Sequence, residues 1–146
     1  MPPFKAVHQF HSGTGLGDAV THELMQIRRA LREGGFASEV FAEHIAPGLE
    51  PQIRPIADYR GDPAALLIVH HSMGFDRFGQ IVTLPDRKLL RYHNITPSHF
   101  FTDAHLREYS EIGRAQLDEY RQYVEFGLAD SEYNRTELME RGYKYT

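Results

Sequence analysis

The start of the chain alternates between strand-like and helix-like segments, and this order constrains the fold more than any other feature of the sequence. Residues 4–10 alternate in polarity as a strand does, and a glycine-containing loop over residues 11–17 follows them. A helix is predicted from Asp18, and Gly34 and Gly35 end it before a second strand over residues 36–41. Because βαβ units of this kind build parallel sheets, we predict an α/β fold.

The rest of the sequence continues this alternation. The prolines between residues 43 and 63 predict an irregular connection. Further strands are predicted over residues 64–69, 88–92 and 124–129, with a short one near 53–56. Helices are predicted over residues 75–82 and 103–123, and Ser131 caps a last helix that ends at Arg141, before Gly142. We therefore expect one Rossmann-like domain, with a parallel sheet and helices on both faces, spanning residues 1–146.

Composition excludes several classes of protein. The chain has no cysteine, so it has no disulfide scaffold, no thiolate metal site and no cysteine nucleophile. Its formal net charge of −4 does not supply the basic field that long nucleic acids require. We expect a cytoplasmic protein that binds no nucleic acid.

Polar residues cluster where the predicted strands end. Ligands of open parallel sheets bind at the carboxyl ends of the strands, so these clusters predict a binding cleft. No compact metal motif of the H-E-x-x-H type is present, and we expect no metal. The residues at the strand ends are His8 and His11, His70, His71 and Ser72, His93 and Asn94, and Asp130 and Ser131.

The glycine loop and His93 each allow two interpretations. Gly13, Gly15 and Gly17 alternate before a helix, where backbone amides and the helix dipole favour a phosphate or pyrophosphate. Their G-x-G-x-G spacing is neither the dinucleotide fingerprint nor a Walker loop, and a tight turn without a ligand is the alternative. Similarly, His93 is either a ligand-facing imidazole or a structural hydrogen-bonding residue.

Four segments in this order resemble the amino-terminal domain of family-four glycosyltransferases, and together they cover nearly the whole chain. The segments are Val7-His8-Gln9-Phe10-His11-Ser12-Gly13-Thr14-Gly15-Leu16-Gly17-Asp18-Ala19-Val20, Leu67-Ile68-Val69-His70-His71-Ser72, Tyr92-His93-Asn94-Ile95-Thr96-Pro97 and Asp130-Ser131-Glu132-Tyr133-Asn134.

The resemblance implies a retaining hexosyltransferase built from two Rossmann domains, the GT-B architecture. It places the loop of Gly15, Leu16 and Gly17 against the diphosphate of a nucleoside-diphosphate sugar, and His93 near the transferred sugar as the catalytic candidate. The donor is a substrate, and no cofactor or metal is expected. The predicted substrate-binding residues are His11, His71, Asn94, Ser131 and Glu132.

The resemblance also implies partners that this sequence does not include. The acceptor, a glycan or glycoconjugate, is held mainly by the amino-terminal domain, and the nucleotide sugar by a carboxy-terminal domain. We expect that second domain in cis or on a partner chain, and peripheral association with the inner face of a membrane. The alternatives are a stand-alone nucleotide- or phosphate-binding module and a His-dependent metallohydrolase.

The resemblance predicts that this chain alone transfers no sugar, because one wall of the cleft belongs to the donor-binding domain. Incubation of the purified chain with radiolabelled nucleoside-diphosphate hexoses and glycan acceptors should yield no labelled product above a protein-free control. Measurable transfer by this chain alone would contradict the prediction.

Overall fold

Strands and helices alternate along residues 4–144, the part of the chain that the computed structural model describes. The strands are β1 (Ala6–Gly13), β2 (Val40–His44), β3 (Arg54–Pro55), β4 (Ala65–His71), β5 (Arg87–Tyr92) and β6 (Gly127–Ala129). The α-helices are α1 (Ala19–Glu33), α2 (Phe78–Thr83), α3 (Ala104–Tyr120) and α4 (Glu132–Glu140). Short 3₁₀ helices cover Ile56–Asp58 and Ser98–Phe100.

The six strands form one parallel sheet in the order β3-β2-β1-β4-β5-β6. The register is parallel where β1 pairs with β2 and β4, where β2 pairs with β3, and where β5 pairs with β6. Parallel neighbours need crossover connections: α1 connects β1 to β2, α2 connects β4 to β5 and α3 connects β5 to β6, whereas an irregular segment connects β2 to β3. The predicted Rossmann-like α/β fold class is therefore confirmed.

The chain packs as two compact units. The first unit consists of the chain up to Val69 together with Leu84–Arg87. The second consists of His70–Thr83 and the chain from Lys88 onward. In the first unit, α1 begins after Asp18 and ends before Gly34, as predicted, and the Asp18 side chain caps it. The buried Gln9 side chain donates to the Leu24 carbonyl at 2.9 Å and ties β1 to α1. The apolar cluster beneath this helix is Leu24, Val40, Ala42, Leu49 and Ile53.

The second unit packs α3 and α4 with the end of the sheet. Leu90, Leu117, Tyr120 and Leu138 are fully buried in it. Ser131 caps α4 by accepting from the Asn134 amide at 3.1 Å, as predicted. The helix α3 also passes very close to the loop after β4, because Gly113 has no side chain.

Several predicted boundaries are wrong, and strand pairing or side-chain contacts explain the differences. The first strand continues through His11 to Gly13, because these residues pair with Ala42 and His44. The second strand is Val40–His44 rather than residues 36–41, and Ala37 makes only an isolated bridge to Ala6. The other elements also begin or end a few residues from their predicted limits.

The helix α2 begins at Phe78 rather than Phe75 for a different reason. The Gln116 amide accepts from the Phe75 nitrogen at 3.3 Å and donates to the Phe75 carbonyl at 2.8 Å. Both backbone groups of Phe75 are therefore bonded to a side chain of α3 rather than within a helix. Across residues 4–144, each helix is either too short or too polar to cross a bilayer.

The close approach of α3 predicts that Gly113→Ala destabilises the protein. A Cβ on Gly113 would lie 2.6 Å from the backbone nitrogen of Gly74, and the backbone must shift to accommodate it. We expect the free energy of unfolding to fall by about 2 kcal/mol in urea denaturation. Gly79→Ala is the matched control, because a Cβ on Gly79 meets nothing within 4 Å. Equal stability of the two variants would contradict this account of the packing.

Candidate functional site

The predicted site residues are divided between the two units. His11, Gly15, Leu16 and Gly17 belong to the first unit. The second unit contains His71, His93, Asn94, Ser131 and Glu132. Each unit also has a pocket of its own that some of these residues line.

The glycine loop of the first unit is held by side chains of α1. The Gly15 amide donates to the Thr21 hydroxyl at 3.1 Å, and that hydroxyl donates to the Asp18 carboxylate at 3.0 Å. Gly17 has a φ of +78°, the left-handed region that favours glycine. By contrast, a Cβ on Gly13 would meet nothing within 4 Å, and one on Gly15 would make an ordinary contact. Among the three glycines of this loop, Gly17 is therefore the one whose backbone conformation favours glycine.

A carboxylate occupies the end of α1 at which the sequence predicted an anion. Asp18 accepts from the Val20 amide at 3.4 Å and places its negative charge at the helix N-terminus. A phosphate bound at this position would meet that charge at close range. The loop therefore favours the tight-turn interpretation over a phosphate cradle that acts alone.

A pocket of about 480 Å³ lies beside this loop. The three predicted loop residues line it, with Asp18, Ala19, Met25 and Leu49 among the others. Leu16 is 75% exposed. The walls of this pocket are mainly apolar and its nearest charge is negative, so its chemistry is not that of a diphosphate site.

His11 is a buried member of the first unit. Its Nδ1 is hydrogen bonded to the carbonyl of Gly13, two residues along the same strand. Burial lowers the pKa of His11, and the bond to Gly13 offsets this effect only in part. His11 is therefore a neutral ring that supports the end of β1.

The second unit has a pocket of about 530 Å³, which we call the α4 pocket. Asn94, Pro97 and Phe100 line it from the loop after β5, and Arg114 lines it from α3. The α4 residues that line it are Glu132, Tyr133, Thr136, Glu137 and Glu140. Two predicted residues, Asn94 and Glu132, are thus brought together here.

Hydrogen bonds fix the loop that carries Asn94. The Tyr92 hydroxyl accepts from the Ile95 amide at 3.3 Å and donates to Glu137 at 2.9 Å. Arg114 donates to the Ile95 carbonyl at 2.7 Å and to Glu137 at 3.3 Å. Within residues 4–144, Asn94 is the only residue other than glycine with a positive φ, +77°. The backbone amide and carbonyl of Ile95, the residue after Asn94, are thus both hydrogen bonded, and they hold the turn that contains Asn94.

Burial is the main cause that raises the pKa of Tyr92, and its hydrogen bond to Glu137 is the next. Both effects keep the hydroxyl protonated. A protonated hydroxyl can donate its own proton to Glu137 while its oxygen accepts the proton of the Ile95 amide.

His93, the predicted catalytic residue, is paired with another histidine of the second unit. Its Nε2 lies 2.8 Å from His70 Nδ1, and the two rings stack with centroids 5.1 Å apart. A hydrogen bond between two imidazoles requires one protonated and one unprotonated nitrogen, so the pair shares one proton at this contact. The backbone amide of His93 also donates to the His71 carbonyl at 3.0 Å. The ring is therefore held in a fixed orientation at the end of β5.

His71 and Ser131 have structural contacts in the second unit. His71 is 1% exposed, and its Nε2 lies 2.8 Å from the carbonyl of Gly113. It packs edge-on against Tyr120. Ser131 is the cap of α4. Of the predicted residues in the second unit, His71, His93 and Ser131 do not line the α4 pocket.

Sequence patterns missed the residues that define most of the α4 pocket. Arg114 and Glu137 lie 23 positions apart and meet only when α3 and α4 pack. The aromatic rings of Phe100 and Tyr133 are 69% and 78% exposed beside the pocket. The local signals were Pro97 and Tyr133, which lie within the third and fourth segments of the family resemblance.

Comparison with known proteins gives no match. No protein-family model, no curated protein and no solved structure matches this chain.

The burial of His11 predicts a pH dependence of stability. Because its pKa is lowered in the folded state, the unfolded chain binds a proton at His11 more readily than the folded chain. The contribution of the neutral His11 ring to the free energy of unfolding is fully present above the ordinary histidine pKa of about 6.5. It is lost as the pH falls below that value. The free energy of unfolding of His11→Asn should therefore depend less steeply on pH over this interval.

Urea denaturation at a series of pH values measures this slope. The exposed His105 supplies the control, and His105→Asn should retain the slope of the parent chain. A His11→Asn slope equal to that of the parent would contradict the prediction.

Proposed function

We propose that this chain is the acceptor-side domain of a retaining glycosyltransferase that moves a hexose from a nucleoside-diphosphate sugar to a glycan or glycoconjugate. The resemblance of its four segments to family-four enzymes suggests this function, and the Rossmann-like fold is compatible with it. One observation carries the proposal: the α4 pocket combines polar and exposed aromatic side chains that suit a sugar.

The chemistry of the α4 pocket fits a carbohydrate acceptor. A sugar ring presents C–H groups on one face, which pack against aromatic rings, and hydroxyls at its edge, which bond amides and carboxylates. Phe100 and Tyr133 offer exposed rings, and Asn94 and Glu132 offer an amide and a carboxylate. At about 530 Å³, the pocket is within the range of small-molecule sites.

In this proposal, His93 is the group next to the reacting sugar. Its bond to His70 and the backbone bond to His71 orient its imidazole. An oriented imidazole can hydrogen bond to a sugar hydroxyl as it reacts. Basic residues of a donor-binding domain would neutralise the donor diphosphate, because Asp18 caps the helix after the glycine loop and adds a negative charge there.

The geometry of the glycine loop does not favour a stand-alone nucleotide-binding module. Such a module must stabilise phosphate charge by itself, whereas the Gly15 amide is bonded to Thr21 and Asp18 adds a negative charge. Calorimetry with nucleoside diphosphates separates the alternatives, because the acceptor-side proposal expects weak binding or none.

The proposal predicts that Tyr133→Ala weakens sugar binding to this chain. Titration of the ¹⁵N-labelled chain with methyl glycosides of glucose, mannose and galactose should shift the amide signals of Asn94 and Tyr133. Loss of the aromatic face should raise the Kd by about fivefold. Tyr123→Ala is the control, because Tyr123 is 45% exposed and does not line the pocket. The proposal fails if none of these sugars shifts signals of the α4 pocket.

A second variant separates the amide of Asn94 from its backbone role. Asn94→Gly retains the left-handed conformation and removes only the amide. We expect it to weaken sugar binding while the free energy of unfolding changes by less than about 1 kcal/mol. Unchanged sugar affinity in this variant would remove Asn94 from the acceptor site.

A further inference from the structure

The charge balance of the α4 pocket bears on which acceptor it takes. Three glutamates of α4 line the pocket, and Arg114 is the one basic residue that does so. The lining therefore has a formal charge of −2. A ligand that enters this pocket meets carboxylates along the whole length of one helix.

The guanidinium of Arg114 is already hydrogen bonded to groups of the protein. One terminal nitrogen of Arg114 donates to the Ile95 carbonyl at 2.7 Å, and the other bonds Glu137 at 3.3 Å. Glu137 also accepts from Tyr92 and lies 3.4 Å from Arg141. The inner part of the pocket is therefore neutralised within the fold, and Arg114 is poorly placed to receive an anionic ligand.

The carboxylates at the pocket mouth remain available. Glu140 is exposed and has no ion-pair partner within residues 4–144. Glu132 pairs with Arg135 at 2.8 Å, but the Glu132 side chain is 77% exposed and that of Arg135 is 44% exposed. Exposed pairs of this kind contribute little, and a bound cation can replace the arginine at low cost.

We infer that the α4 pocket selects an acceptor sugar that carries a protonated amine. This inference rests on the proposed function. The carboxylates of Glu132 and Glu140 would receive the ammonium group. The exposed rings of Phe100 and Tyr133 suit both the C–H face of the sugar and an adjacent cation. A uronic acid or a sugar phosphate would instead be repelled by the same carboxylates.

Three methyl β-glycosides test this inference, because they share one ring and differ in charge. Methyl glucosaminide is cationic below the pKa of its amine, methyl glucoside is neutral and methyl glucuronide is anionic. In titrations of the ¹⁵N-labelled chain followed at the Asn94 and Tyr133 amides, the glucosaminide should bind about threefold more tightly than the glucoside. The glucuronide should bind most weakly, and high salt should reduce the differences.

Glu140→Gln removes one carboxylate with little change in shape and should reduce the preference for the amine. Glu108→Gln is the matched control, because Glu108 is an exposed glutamate of α3 that does not line the pocket. It should leave the preference unchanged.

Each remaining outcome is decisive. Equal affinity for the three glycosides at the pocket would overturn the amine preference while sugar binding at the site stands. If Glu140→Gln does not change the preference for the glucosaminide, the inferred amine preference is also overturned, and sugar binding at the site stands. If no glycoside shifts signals of the pocket, both the inference and the proposed function fail.

Discussion

The side chain of Glu137 joins three parts of the second unit, and the shape of the α4 pocket depends on it. One carboxylate oxygen accepts from Tyr92 at the end of β5, and the other bonds Arg114 of α3 and Arg141 beyond α4. The Glu137 side chain is only 17% exposed, so removal of a basic partner leaves a poorly solvated charge. Because Arg114 and Tyr92 also hold the backbone of Ile95, this one carboxylate connects helix packing to the turn that directs Asn94.

The two units use their polar residues differently. In the first unit, the side chains around the glycine loop bond one another, as Asp18, Thr21 and Gly15 do, and they leave the pocket walls mainly apolar. In the second unit, Arg114 and Glu137 of the hydrogen-bonded network themselves line the α4 pocket, together with more exposed amide, carboxylate and aromatic groups. Lining groups whose orientation is fixed by hydrogen bonds are expected of a ligand site.

Sequence patterns predicted the order of the elements and the cap of α4 because both depend on neighbouring residues. Ser131 caps α4 as predicted, and the parallel sheet follows from the alternation of elements. The limits of β1 and β2 depend on which residues pair across the sheet, which a single segment does not encode. The bond between Arg114 and Glu137 depends on how two helices pack, so spacing did not indicate it. The glycine spacing suggested an anion site, but the carboxylate that opposes an anion is the helix cap itself.

Acidic groups at the helix N-termini explain why the proposed donor site needs a second source of positive charge. Asp18 caps α1, Asp103 caps α3 and Glu132 lies in the first turn of α4. Each compensates the partial positive charge of its helix, which would otherwise attract a phosphate. With a formal net charge of −4, the chain gains more from binding a neutral or cationic acceptor than from binding a diphosphate. The proposed function therefore assigns the acceptor to this chain and the neutralisation of the departing diphosphate to another domain.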